Sequence, residues 1–117
     1  MEKMLSGGGQ LSGLTLQALI ERAVRQGADA IELEFVPEGL EVIYMCGRTG
    51  IGEVIEDREA VQALIREVVT QAKLERRSRG VIKWVHEGRT YDIRAEQYDQ
   101  FGEIAFRLSL RKSRRSA

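Results

Sequence analysis

Two stretches of the chain repeat their apolar positions at helical spacing, and the stretches between them alternate or run short and apolar. Leu16, Leu19, Ile20 and Ala23 predict a first helix, with Thr15 as its cap and Gly27 closing it in a left-handed conformation. Val61, Leu64, Ile65, Val68, Val69 and Ala72 draw one apolar stripe, while Arg58, Glu59, Arg66, Glu67 and Lys73 lie mostly off it. That pattern predicts a second helix, capped by Asp57 and running to about Leu74, before "ERRSRG" ends it.

The remaining segments read as strands. "AIELEFV" alternates, with Ile31, Leu33 and Phe35 on one face and Glu32 and Glu34 on the other. "PEG" is a tight turn, and "LEVIYMC" after it is apolar on both faces, as a central strand is. A third strand follows "GRTGIGEV" through Val54 and Ile55. After Gly80 come "VIKWVH", "RTYDIRAEQ" and "EIAFRLSL", separated by "EG" and "YDQFG". The order αβββαβββ with such short connections predicts an α+β domain: a six-strand, mainly antiparallel sheet with both helices on one face.

Length and composition fit that reading. A chain of 117 residues, 43% hydrophobic, is enough for one core and too short for two ordinary domains. The expected organisation is a flexible Gly/Ser-rich segment at 1–13, one domain at 14–110, and a basic tail at 111–117. No apolar run approaches the roughly 20 residues of a membrane span, and the N-terminus lacks an apolar core of signal-peptide length. A cytoplasmic protein is expected. Charge balances at 18 basic against 18 acidic residues, but residues 28 to 60 hold nine acids and two bases, whereas residues 61 to 117 hold thirteen bases and seven acids. Such asymmetry fits a solvated surface or a face for an acidic partner.

The chemistry on offer is thin. "GRTGIGEV" lacks the lysine and hydroxyl of a phosphate loop, since Glu53 and Val54 follow Gly52; it reads as a strand-to-strand turn in which Gly47 and Gly50 supply special φ values. One cysteine, Cys46, and one histidine, His86, are too poor a set for zinc, so neither metal nor cofactor is expected. His86 has no diagnostic acid–base partner, Cys46 reads as a small buried hydrophobe, and Trp84 shares the parity of Ile82 as a core tryptophan does. Basic clusters at Leu74–Gly80 and Arg111–Ala117 lack interleaved aromatics, so nucleic acid is not the expected partner.

The order of elements, with "ERAVRQGADAIELEFVPEGLEVIYM" early and "GRTYDIRAEQYDQFGEIAFRLSL" late, resembles the PAS-like N-terminal domain of the secretion ATPases of type II secretion and type IV pili. The likeness spans residues 14 to 110. Gly27, Ala28, Ile31 and Glu34 follow the family's "GASDIHIEP", but Ala30 and Glu32 stand at its aspartate and histidine. Val42 matches the next motif, while Ile43 and Met45 replace both of its arginines. Asp92, Ile93, Arg94 and Ala95 follow "DLRV", and Gly102, Glu103 and Arg107 follow the closing motif.

In that family such arginines reach toward the nucleotide held by the attached motor. The resemblance implies that Arg94 and Arg107 are where an anion or partner site would persist, with Arg76, Arg77 and Arg79 in support. Strand parity puts Arg94 and Arg107 on one outward face as cross-strand neighbours, where Asp92, Glu96 and Glu103 would neutralise them equally well. The chain opens with Met1 and stops at "RKSRRSA", without the family's RecA-like motor, so the expectation is a stand-alone relative. The function expected is non-catalytic: a protein-interaction or regulatory module whose partner is a secretion or pilus-type ATPase or assembly component, with self-association a further expectation. A non-hydrolysing sensor of nucleotide or another anion is the alternative.

Overall fold

The computed structural model describes residues 15–112. The expected lead-in at 1–13 and residues 113–117 of the expected tail lie outside the described residues, while Arg111 and Lys112 belong to the last strand. The elements are α1 (Leu16–Gln26), β1 (Ala30–Val36), β2 (Gly39–Cys46), β3 (Thr49–Ile55), α2 (Arg58–Ala72), β4 (Arg79–His86), β5 (Arg89–Gln100) and β6 (Glu103–Lys112). The six strands form one sheet in the order β3-β2-β1-β6-β5-β4, and every neighbouring pair is antiparallel. Both helices lie on one side, so the chain is an α+β fold in the order αβββαβββ.

Local chemistry sets the helix ends. Thr15 Oγ1 accepts from the Ala18 amide at 3.2 Å, and Gly27 closes α1 at φ 74°. Asp57 caps α2 by accepting from the Glu59 amide at 3.0 Å. That helix ends at Ala72, two residues before the stripe predicts. Lys73 adopts left-handed backbone at φ 58°, and Leu74 folds back to bury its side chain while its amide donates to the Val69 carbonyl at 2.9 Å.

The core lies between the helices and one sheet face. Leu16, Leu19, Ile20 and Ala23 of α1 and Val61, Leu64, Val68 and Ala72 of α2 meet the inward residues of the strands. α2 also has a topological task, because it carries the chain from edge strand β3 to the opposite edge strand β4. Six strands about 4.8 Å apart span roughly 24 Å, and a helix of 15 residues rises roughly 22 Å. The length of the apolar stripe therefore matches the width of the sheet it crosses. Gly80, at the far side, admits the Ala72 carbonyl so closely that an added Cβ would stand 1.9 Å from its oxygen.

Several sequence expectations change in detail. Gly50 does not take the special φ assigned to it. The turn is Gly47–Arg48 alone, with Gly47 at φ 66°, while Gly50 lies in β3, where an added Cβ would press on Ile43 and Met45 of β2 at 3.0 and 3.2 Å. Its missing side chain makes room for theirs. The last hairpin turns on Phe101 and Gly102 only, at φ 54° and 86°, so β5 reaches Gln100. Phe35 has the inward parity of Ile31 and Leu33 yet is exposed, because pairing of β1 with β6 stops at Glu34 and the core ends there. Trp84 is half-buried against the core, its strand being an edge, and Cys46 is half-buried with its thiol 3.8 Å from the Gln26 carbonyl.

Candidate functional site

The sheet face away from the helices carries a segregated set of charges. Glu32 and Glu34 on β1 and Glu41 on β2 occupy one half, while Arg79 and Lys83 on β4, Arg94 on β5, and Arg107 and Arg111 on β6 outnumber Asp92 and Glu96 of β5 in the other. Alternation along each strand fixes this, since Ile31, Leu33, Ile82, Ile93, Ala95, Phe106 and Leu108 turn inward and leave the charged parity outside.

Arg94 and Arg107 share the outward face, as strand parity requires, but not as direct neighbours. The two-residue turn at Phe101–Gly102 sets the register so that Arg94 opposes Ser109 and Arg107 opposes Glu96. The two arginines are diagonal. Arg107 is half-buried and bound to Glu32 of β1, a partner 75 residues away in sequence. Arg94 is exposed and forms no ion pair among the described residues.

Arg94 opens instead into a concavity of about 680 Å³ at the end of α2, which Lys73, Arg77, Arg79 and Arg111 also line. Five cations meet one carboxylate there, Glu96, whose Oε2 lies 3.3 Å from Nε of Arg79. That pair is well exposed and contributes little. Lys73, Arg77 and Arg111, like Arg94, have no ion-pair partner among the described residues. Part of the charge serves the fold, because Lys73 beside the last carbonyls of α2 complements the helix dipole. The surplus remains an attractor for anions.

The sequence-predicted set therefore divides. Arg77, Arg79 and Arg94 come together in the concavity; Arg76 faces a neighbouring hollow with Lys73, Glu75 and Arg77; Arg107 is held by Glu32 on the same face. Lys73 and Arg111 join the site without having been singled out for it. Their signals were present, since Lys73 directly follows the last residue of the second apolar stripe and Arg111 keeps the parity of Arg107 in an unbroken alternation.

Elsewhere the polar chemistry is structural. Glu53 Oε2 accepts from Arg22 Nη1 at 2.7 Å and from the Tyr44 hydroxyl at 3.1 Å, tying edge strand β3 to α1. Burial, with the Glu53 charge beside it, pushes the Tyr44 phenol up to about 12. On the outer face Glu34 is held above the usual carboxylate range by burial and by Glu32 and Glu41. Cys46 on β2 and His86 on β4 are separated by four strand spacings, roughly 19 Å, so they form no nucleophile–base pair. Among the described residues there is no group of three or more His, Cys, Asp or Glu side chains placed to hold a metal ion, and no helix is long and apolar enough to cross a membrane. No protein-family model matches this chain, and no curated protein matches it either.

Proposed function

We propose that this chain is a non-catalytic binding domain that uses its basic concavity to engage an acidic surface on a protein partner. The single observation that carries this reading is the meeting of Lys73, Arg77, Arg79, Arg94 and Arg111 around one carboxylate, Glu96, which an exposed arginine already occupies. Unneutralised cations on a preformed sheet favour a complementary partner and speed its encounter. The resemblance to the N-terminal domain of secretion and pilus ATPases supports a motor or assembly component of such a system as that partner, and with it a location beside cytoplasmic machinery.

The test is affinity capture from the native host with the parent and an Arg77→Glu/Arg94→Glu variant of unchanged circular dichroism. Secretion or pilus components are expected with the parent and lost with the variant. Recovery of none with the parent would refute the partner assignment.

The second reading is a sensor of a small anion or nucleotide, favoured by the size of the concavity. Its volume of about 680 Å³ falls within the range of small-ligand sites. It predicts thermal stabilisation by ATP that Arg94→Ala abolishes, and absence of a shift with every nucleotide removes it.

A further inference from the structure

β4 is an edge strand beside the basic concavity. It pairs with β5 alone, and among the described residues nothing takes a backbone hydrogen bond from its outer side. Its outward-facing residues are Arg79, Val81, Lys83 and Val85, alternating cation and exposed valine. One row inward, Arg94 opposes Val81. We infer that β4 accepts an acidic, extended segment of a partner protein as a seventh strand, with carboxylates at every fourth position, opposite Arg79 and Lys83, and small apolar side chains midway between them, opposite Val81 and Val85.

The inference rests on the binding reading above and gives it a mode. A strand edge offers unpaired amide and carbonyl groups that an extended peptide satisfies, and alternate side chains then decide which peptide fits. The charge pattern chooses among occupants. A second copy of β4 would gather four cations, two from each chain, which like-charge opposition disfavours. The other edge, β3, carries Glu53 and no lysine or arginine between Thr49 and Ile55, so an acidic strand gains nothing there. Arg79 and Lys83 each already meet a cross-strand carboxylate, Glu96 at 3.3 Å and Asp92 at 2.8 Å, but both are largely exposed and able to bridge a second one. Arg94 supplies the unshared charge.

Trp84, the one tryptophan of the chain, lies half-buried on the same strand and reports on occupancy of this edge. The probe is a short end-blocked peptide repeating threonine–valine–threonine–glutamate, titrated against the full chain by tryptophan emission and amide chemical shifts. Two further peptides carry backbone N-methyl groups on one or the other set of alternate residues. Only alternate amides of an added strand face β4, so one methylated peptide binds like the parent peptide and the other binds about tenfold or more weakly. Arg94→Glu, checked by circular dichroism, weakens all binding, and replacing the peptide glutamates by lysine abolishes it. Equal binding of both methylated peptides, with Arg94→Glu still disruptive, overturns strand addition and leaves the basic site standing. Indifference to the Arg94→Glu change or to peptide charge overturns both.

Discussion

Gly80 is the point where the helix that crosses the sheet meets the strand it delivers, and replacing it by alanine tests that junction. An alanine Cβ would stand 1.9 Å from the Ala72 carbonyl oxygen, 2.9 Å from its carbon and 3.2 Å from its Cα. All three are backbone atoms at a helix end held by the left-handed Lys73 and the buried Leu74, so no side chain can swing aside. Relief takes a displacement of about 1 Å, from 1.9 Å to the 3.0 Å below which real Cβ contacts essentially never occur. Overpacking of a well-filled interior costs about 1–3 kcal/mol, and a clash with backbone belongs at the upper end, about 2–3 kcal/mol. For a domain of this size that lowers Tm by roughly 10–20 °C. Gly50→Ala is the control. Its Cβ meets only the side-chain atoms Ile43 Cγ2 and Met45 Sδ, at 3.0 and 3.2 Å, and the lower entropy of the unfolded chain offsets part of the strain. It should stay within about 0.5 kcal/mol of the parent. Urea unfolding followed by circular dichroism and Trp84 emission measures both, with an unchanged m-value showing that stability alone has moved. A Gly80→Ala protein within about 0.5 kcal/mol of the parent, or a Gly50→Ala protein as damaged as Gly80→Ala, would refute the reasoning.

Asp57→Ala removes the acceptor for the Glu59 amide and should cost about 1 kcal/mol in urea unfolding. Glu87→Asn should stabilise by about 0.5–1 kcal/mol, because Glu87 and Gly88 both have positive φ, at 52° and 78°, and asparagine tolerates that turn geometry better than glutamate. Tyr44 keeps its proton in the folded state up to about 12, against an ordinary 10.0. Its contribution is complete below pH 10 and disappears as pH rises toward 12, by about 2–3 kcal/mol at most. Alkaline unfolding of Tyr44→Phe should therefore be less steep than that of the parent over this range, and equal slopes would refute the assignment. Glu34 is also raised, by burial first and then by Glu32 and Glu41, so its ionisation opposes folding as pH rises through its folded value. Glu34→Gln should raise Tm at pH 7, and the gain should vanish in acid.

The local elements were legible in the sequence because the signals that define them act over a few residues. Thr15, Gly27 and Asp57 are caps by side chain or by φ, and all three act as such. "EG" in the second half marks a two-residue turn because the alternation on both sides stays in phase across it. Gly50 was misread because glycine serves both turns and close approaches, and only the pairing of β3 with β2 shows Ile43 and Met45 lying over it. The site was half legible for the same reason. Parity put Arg94 on the outer face, but its placement beside Lys73 depends on where α2 ends, and the attachment of Arg107 to Glu32 depends on β1 joining β6, a pairing between opposite ends of the chain.

That pairing also turns a charge bias along the chain into one across the sheet. Each three-strand meander stays together, the first as β3-β2-β1 and the second as β6-β5-β4, and they join through their inner strands. The acid-rich segment before residue 60 therefore supplies one half of the outer face, and the base-rich segment after it supplies the other. At the seam the two signs meet and neutralise, as Arg107 does with Glu32. Farther out, Glu96 and Asp92 of β5 pair with Arg79 and Lys83 of β4, which leaves Arg94 and Arg111, with Lys73 and Arg77 from the end of α2, without an ion-pair partner among the described residues. These four cations line one concavity beside β4, the edge farthest from the acidic half and the one where backbone groups are open. Strand order, rather than any single motif, is what places surplus positive charge next to an unpaired edge.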